Sequence, residues 1–115
     1  MGEPRQLGGL TYRQLGQGGT TLLVPIGSVE QHGPHLPLDT DIRIAAAVAE
    51  AATAELGADF VVAPPISYGA SGEHQGFPGT VSIGTPALTT LLVEYARSAC
   101  ELSLIHISEP TRPRL

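Results

Sequence analysis

Short apolar runs alternate along the chain with longer amphipathic stretches. Residues 21–26 and 59–63 are continuous apolar runs, a pattern typical of strands that are buried on both faces. Residues 80–83 suggest a third short strand, and residues 42–56 and 86–100 have apolar side chains at helical spacing. The order strand, helix, strand, strand, helix predicts an α/β fold with a mostly parallel sheet.

Each predicted helix has an apolar stripe and a boundary signal. Asp41 stands where an N-cap is expected and Gly57 at the C′ position, so the first helix is bounded at both ends. Its predicted buried stripe consists of Ile44, Val48, Ala51, Ala52 and Leu56. The stripe of the second helix consists of Leu88, Leu91, Leu92, Tyr95 and Ala99.

Composition narrows the class of protein. The chain is 42% hydrophobic and 15% charged, which indicates a globular domain, and its net charge of −5 argues against a nucleic-acid or anionic-membrane partner. No apolar run is long enough for a membrane span, and the amino terminus lacks the apolar core of a signal peptide, so we expect a cytoplasmic protein. A disulfide framework is excluded because the chain has one cysteine, Cys100, which we place in the core.

Candidate chemistry lies in two polar loops, residues 27–41 and 66–80. Both follow predicted strands at the edge where α/β proteins bind ligands. If residues 29–32 are extended, Glu30 and His32 point the same way and offer mixed donors suited to zinc, manganese or iron. A Glu-x-His pair at a strand end is more often part of an ordinary solvated loop, so this pair alone does not establish a metal site.

Other polar residues of the two loops are open to more than one interpretation. Asp41 is either a plain helix cap or a metal ligand, and the two roles are compatible at the mouth of the sheet. Asp39 is a candidate to orient a metal-binding side chain without binding the metal itself, whereas His35 is better explained as an exposed loop residue. Composition leaves open whether Glu73 and His74 contact metal, substrate or water.

Two long motifs resemble those of the creatininase (creatinine amidohydrolase) family. They are Val24-Pro-Ile-Gly-Ser-Val-Glu-Gln-His-Gly-Pro-His-Leu-Pro-Leu-Asp-Thr-Asp41 and Tyr68-Gly-Ala-Ser-Gly-Glu-His-Gln-Gly-Phe-Pro-Gly-Thr-Val-Ser82. The resemblance implies the N-terminal half of a three-layer α/β/α fold and a homo-oligomeric hydrolase with two divalent metal ions, Zn, Mn or Fe. Water activated by these ions attacks an amide carbonyl.

The resemblance also implies roles for individual residues. Glu30 would bind one ion, His32 the other, and Asp41 both. Glu73 and His74 would act as catalytic residues near the substrate, which Ser71 would also contact.

Within the family, the loops most resemble the peptidases of mycofactocin biosynthesis. These enzymes release a C-terminal Val-Tyr dipeptide from a modified precursor peptide, which would then be the partner of this chain. Two alternatives remain open, namely a creatininase or other cyclic-amide hydrolase, and a non-catalytic binding module.

The last residues interrupt the α/β pattern. Residues 102–115 resemble the in-frame translation of a sequencing adapter, so we expect a partial family domain over residues 1–101 and an artefactual, disordered tail. The family's remaining metal ligands follow the next strand, in a motif this sequence lacks. We therefore expect this chain to bind metal weakly and to be inactive.

Overall fold

Three parallel strands form the sheet in the computed structural model, which describes residues 5–15, 19–101 and 104–108. The strands are β1 (Thr20–Leu23), β2 (Phe60–Val62) and β3 (Leu104–Ser108), and their order is β2-β1-β3. The helices are α1 (Tyr12–Leu15), α2 (Thr40–Leu56) and α3 (Gly84–Glu101), with 3-10 turns at Leu7–Gly9 and Gly72–His74. The parallel sheet confirms the α/β prediction.

Opposite faces of the sheet bury separate apolar clusters, because successive strand residues point to opposite sides. On one face, Leu22 and Val61 pack with Ala99 of α3 and with side chains from the amino-terminal segment. On the other face, Leu23 and Val62 pack with Ala49 of α2. Helices therefore cover both faces, which agrees with the expected three-layer α/β/α arrangement.

Helix α2 begins earlier than predicted and buries a different stripe. Its N-cap is Asp39, so Asp41 lies in the first turn and the N-cap assignment for Asp41 was wrong. The buried residues are Ala45, Ala49 and Thr53, whereas Ile44 is 54% exposed. The exposed side chains also include Val48 and Leu56. Large strand side chains already fill the space above the sheet, so the helix turns its small residues inward.

Helix α3 follows its prediction more closely. It begins two residues before the predicted start and places Ala99 in the core, with Tyr95 packed against the same cluster. Leu91 and Cys100 are exposed, so their assignment to the core was wrong.

Among the described residues, no helix combines the length and apolarity needed to cross a membrane.

Two short segments differ from expectation. Residues 80–83 form no strand, because Val81 makes only an isolated bridge to Val29. Residues 104–108 form strand β3 beside β1, where we expected disorder from residue 102 onward. The sequence Leu-Ile-His-Ile has high strand propensity. Its backbone pairs with the edge of β1, whose N–H and C=O groups would otherwise lack strand partners on that side. The assignment of residues 102–115 to foreign sequence stays a prediction.

Candidate metal centre

Both polar loops leave the same edge of the sheet. Strands β1 and β2 run parallel in the register Leu22 with Val61, and the pairing extends beyond the strands through a bridge between Ile26 and Ile66. Because the carboxyl ends of parallel strands meet at one edge, the segments that follow begin side by side. This register is what brings the two sequence motifs together.

Backbone contacts then fix the loops against each other. The Val81 N–H donates to the Val29 carbonyl oxygen at 3.0 Å, and the Gln31 N–H donates to Thr80 Oγ1 at 2.9 Å. Within the first loop, the Glu30 N–H donates to the Leu38 carbonyl oxygen at 3.0 Å. These hydrogen bonds hold the Glu30 backbone on both sides, and so limit where its side chain can point.

The start of α2 packs directly on Gly27. A Cβ atom at this glycine would lie 2.7 Å from both the N and the Cα of Ile42 and 2.9 Å from the Asp41 carbonyl carbon. Only glycine permits so close an approach of backbone to backbone. The contact places Asp41, in the first turn of α2, above the loop that contains Glu30 and His32.

Glu30, His32 and Asp41 form a compact group of metal donors. One ligand atom from each residue lies within 4.8 Å of the others, and Glu30 is only 9% exposed. Two carboxylates and an imidazole are donors that Zn²⁺ and Mn²⁺ accept. The structure thus brings together the three residues that the sequence analysis singled out as metal ligands.

The hydrogen bonds of His32 match what a metal-binding histidine needs. Its Nδ1 lies 3.1 Å from the Glu30 carbonyl oxygen, which can only accept, so Nδ1 carries a proton. The other nitrogen, Nε2, faces Asp41 Oδ1 at 3.1 Å. In the neutral ring, the lone pair of Nε2 would face a lone pair of Asp41 Oδ1. This repulsion favours a proton or a cation on Nε2. A backbone carbonyl that orients the ring in this way is typical of zinc-bound histidines.

The same contacts shift the protonation of His32. The hydrogen bond to the Glu30 carbonyl is the largest cause that raises its pKa above the usual 6.5, and the charge of Asp41 adds to it, while desolvation opposes both. The metal-free ring therefore holds its second proton to a higher pH than a free histidine. A metal ion would replace that proton.

Glu30 is held by residues of the second loop. The Ser71 hydroxyl donates to Glu30 Oε1 at 2.7 Å, and His74 Nε2 lies 3.3 Å from Oε2. Ser71 is 1% exposed, so its hydroxyl lies beneath the carboxylate and faces no open surface. The predicted substrate contact of Ser71 stays a prediction, whereas its contact with Glu30 was not foreseen.

His74 joins the cluster and Glu73 stays outside it. The rings of His74 and His32 are stacked with centroids 6.4 Å apart and planes 8° from parallel. Glu73 Oε1 lies 3.7 Å from His74 Nε2, but its side chain is 84% exposed. Of the two predicted catalytic residues, His74 therefore contacts a candidate ligand, and Glu73 lies at the open side.

Three further residues lie near the group of donors. The side chain of Asp39, which was predicted to support a metal ligand, instead forms an ion pair with Arg43 at 2.8 Å. His35 is exposed, as expected for a loop residue. Gln31 was not predicted to belong to the site, although its place between Glu30 and His32 in the motif could have indicated it.

Comparison with known proteins agrees with the geometry. The creatininase family model, described as creatinine amidohydrolase, matches residues 9–106. A mycofactocin precursor peptide peptidase of Mycolicibacterium smegmatis is 66% identical over 84% of this chain and 40% of that protein. One of Mycobacterium tuberculosis is 58% identical over 82% of this chain and 41% of that protein. The creatinine amidohydrolase of Pseudomonas putida is 31% identical over 79% of this chain and 38% of that protein.

Solved creatininases share the fold. One crystal structure of creatinine amidohydrolase superposes with a TM-score of 0.81 at 27% identity, over 92% of this chain and 44% of that one. Related structures include a Zn-Zn form, with the same score, identity and coverage, and a Mn form. The chain spans about 40% of the length of the curated relatives it matches. The two motifs, the fold and the sequence comparison all agree, and this chain therefore belongs to the creatininase family.

Proposed function

We propose that this chain supplies one side of a two-ion divalent metal centre in an amide hydrolase. Glu30 would hold one ion, His32 the other, and Asp41 both. The convergence of their ligand atoms within 4.8 Å at the edge of a parallel sheet is the observation that supports this proposal. Ions bound there would supply Lewis acidity for the amide carbonyl and lower the pKa of a water molecule.

The protein's own side chains have separate tasks in this proposal. Asp41 and His32 face each other at 3.1 Å, so a cation could take the place of the proton between them. Ser71 and His74 hold the two oxygens of Glu30, and this fixes the direction of its lone pairs. Glu73, exposed beside His74, would contact the substrate from the open side.

The proposed substrate is a peptide, namely the modified precursor with a C-terminal Val-Tyr. Relatives named mycofactocin precursor peptide peptidases are 54–66% identical to this chain, whereas the creatinine amidohydrolase is 31% identical. Creatinine or another cyclic amide is the second candidate substrate. Self-association also belongs to the proposal, and the exposed Ile44 and Val48 of α2 provide apolar surface for it.

Three donors are too few for two ions. A zinc ion in a catalytic site takes about three protein ligands, so two ions need further donors even when one carboxylate bridges them. Among the described residues, Glu30, His32 and Asp41 are the one group of three such side chains whose ligand atoms lie within 4.8 Å of one another. We therefore expect weak metal binding and no turnover from this chain alone.

Two measurements test the proposal. Calorimetric titration of the chain with Zn²⁺ and Mn²⁺ should show weak binding that His32→Ala abolishes, and tight binding of two ions would contradict the incomplete centre. A full-length peptidase such as that of Mycolicibacterium smegmatis should, with metal, cleave a Val-Tyr-ended peptide and leave creatinine intact. Cleavage of creatinine alone would replace the peptide with the second candidate substrate.

A further inference from the structure

The side-chain amide of Gln31 lies between Gly33 of the first loop and His74 of the second. Its Oε1 accepts a hydrogen bond from the Gly33 N–H at 3.0 Å, and its Nε2 lies 2.9 Å from His74 Nδ1. The Gln31 backbone is held as well, because its N–H donates to Thr80 Oγ1. The amide is therefore fixed at both ends between the two loops.

The Gly33 N–H determines which way this amide points. A backbone N–H can only donate, so the atom of Gln31 that faces it must be the oxygen. The NH₂ group then faces His74 Nδ1 and donates to it. In the neutral ring Nδ1 must accept, which leaves the proton of His74 on Nε2.

Two carboxylates lie near this nitrogen. His74 Nε2 lies 3.3 Å from Glu30 Oε2, whereas Glu73 Oε1 is farther away at 3.7 Å. Ser71 donates to the other oxygen of Glu30 at 2.7 Å. One oxygen of Glu30 thus accepts a hydrogen bond from Ser71 and the other lies within ion-pair distance of His74 Nε2, and the remaining lone pairs are left for a metal ion.

His32 has the opposite arrangement of protons. Its Nδ1 donates to the Glu30 carbonyl oxygen, so its Nε2 is the nitrogen available to a metal ion. The two rings are parallel and neighbouring, yet a backbone carbonyl sets one tautomer and the Gln31 amide sets the other.

We infer that Gln31 is a positioning residue that keeps His74 in the Nε2–H tautomer, so that His74 orients the Glu30 carboxylate and does not itself bind metal. This inference deepens the proposed metal centre and rests on it for its significance. The tautomer itself is a property of the metal-free protein. It can therefore be tested without metal or substrate, and its failure is distinguishable from failure of the hydrolase proposal.

The test is nitrogen NMR of the metal-free chain labelled with ¹⁵N-histidine, at a pH where both rings are neutral. We expect the two-bond proton–nitrogen pattern of an Nε2–H ring for His74 and of an Nδ1–H ring for His32. An Nδ1–H pattern for His74 in the unsubstituted chain would overturn the inference, and this outcome requires no variant.

A near-isosteric substitution sharpens the result. Gln31→Glu keeps the acceptor for the Gly33 N–H but replaces the NH₂ donor with a second acceptor, so His74 should become protonated at Nδ1 at the same pH. Gln75→Glu adds the same charge on an exposed residue next to His74 and should leave the pattern unchanged. The backbone amide spectrum checks that both variants fold. An unprotonated Nδ1 in folded Gln31→Glu would show that Gln31 does not set the tautomer.

Discussion

Replacing Gly27 with alanine would place a methyl group against the backbone at the start of α2. Its Cβ would lie 2.7 Å from two backbone atoms of Ile42, whereas ordinary contacts begin at 3.4 Å, so a gap of about 0.7 Å must open. Backbone atoms cannot rotate away as a side chain can. Gly27 cannot retreat easily either, because its N–H donates to the Ile66 carbonyl oxygen at 2.9 Å.

The displacement acts on stability and on the candidate metal centre together. Forcing an extra methyl group into packed structure typically costs about 1–3 kcal/mol in the free energy of unfolding. Because Asp41 lies in the first turn of α2, the same movement would lengthen its 3.1 Å contact with His32. Disturbing the support of a metal ligand lowers affinity by about 10- to 100-fold, and we expect the lower end of that range.

The assay pairs Gly27→Ala with Gly9→Ala. Gly9 is exposed, and a Cβ there would meet nothing within 4 Å. Urea unfolding of the metal-free proteins gives the stability difference, and calorimetric titration with Zn²⁺ gives the affinity difference. If Gly27→Ala matches Gly9→Ala in both measurements, the close packing of α2 on Gly27 does not position Asp41, and the reasoning fails.

Three further predictions concern single groups of the centre. Asp41→Asn should weaken Zn²⁺ binding by at least about tenfold, whereas Asp39→Asn, which loses only an ion pair with Arg43, should leave the calorimetric affinity unchanged. Ser71→Ala leaves a buried carboxylate oxygen without its donor and should cost about 1–3 kcal/mol in urea unfolding; an unchanged midpoint would refute that contact. Because the pKa of His32 is raised, its contribution to metal-free stability is complete below about pH 6.5 and is lost as pH rises through the higher folded-state pKa. Unfolding across that range should show this loss, and His32→Gln should remove it.

The candidate metal donors could be predicted from the sequence because they lie in one short stretch between a buried strand and the next helix. Glu30 and His32 lie in the loop that follows β1, and Asp41 lies in the first turn of the next helix, so strand-to-helix topology brings them to the ligand edge. The same rule indicated the second loop, residues 66–80, and the resemblance to a known family added roles for its residues. Together these patterns predicted the fold class and the position of the candidate site.

Other contacts depend on registers that periodicity does not encode. For Ser71 the family resemblance implied a contact with substrate, and its hydrogen bond to Glu30 became visible only from the pairing of the two loops. The stripe of α2 was misjudged because hydrophobicity ranks Ile44 above Ala45, whereas the helix buries the smaller side chain and exposes the larger one. The orientation of the Gln31 amide follows from one backbone N–H, and no spacing rule predicts it.

All three donors come from one stretch of twelve residues, 30–41. The entropic cost of closing a chain loop grows by only about 0.6 kcal/mol for each doubling of its length, and a stretch this short lies at the inexpensive end of that scale. In the proposed centre this segment, which connects β1 to α2, would act as a local chelating peptide. An ion captured there would be expected to organise the strand-to-helix turn during folding, before more distant parts of the chain have assembled around it.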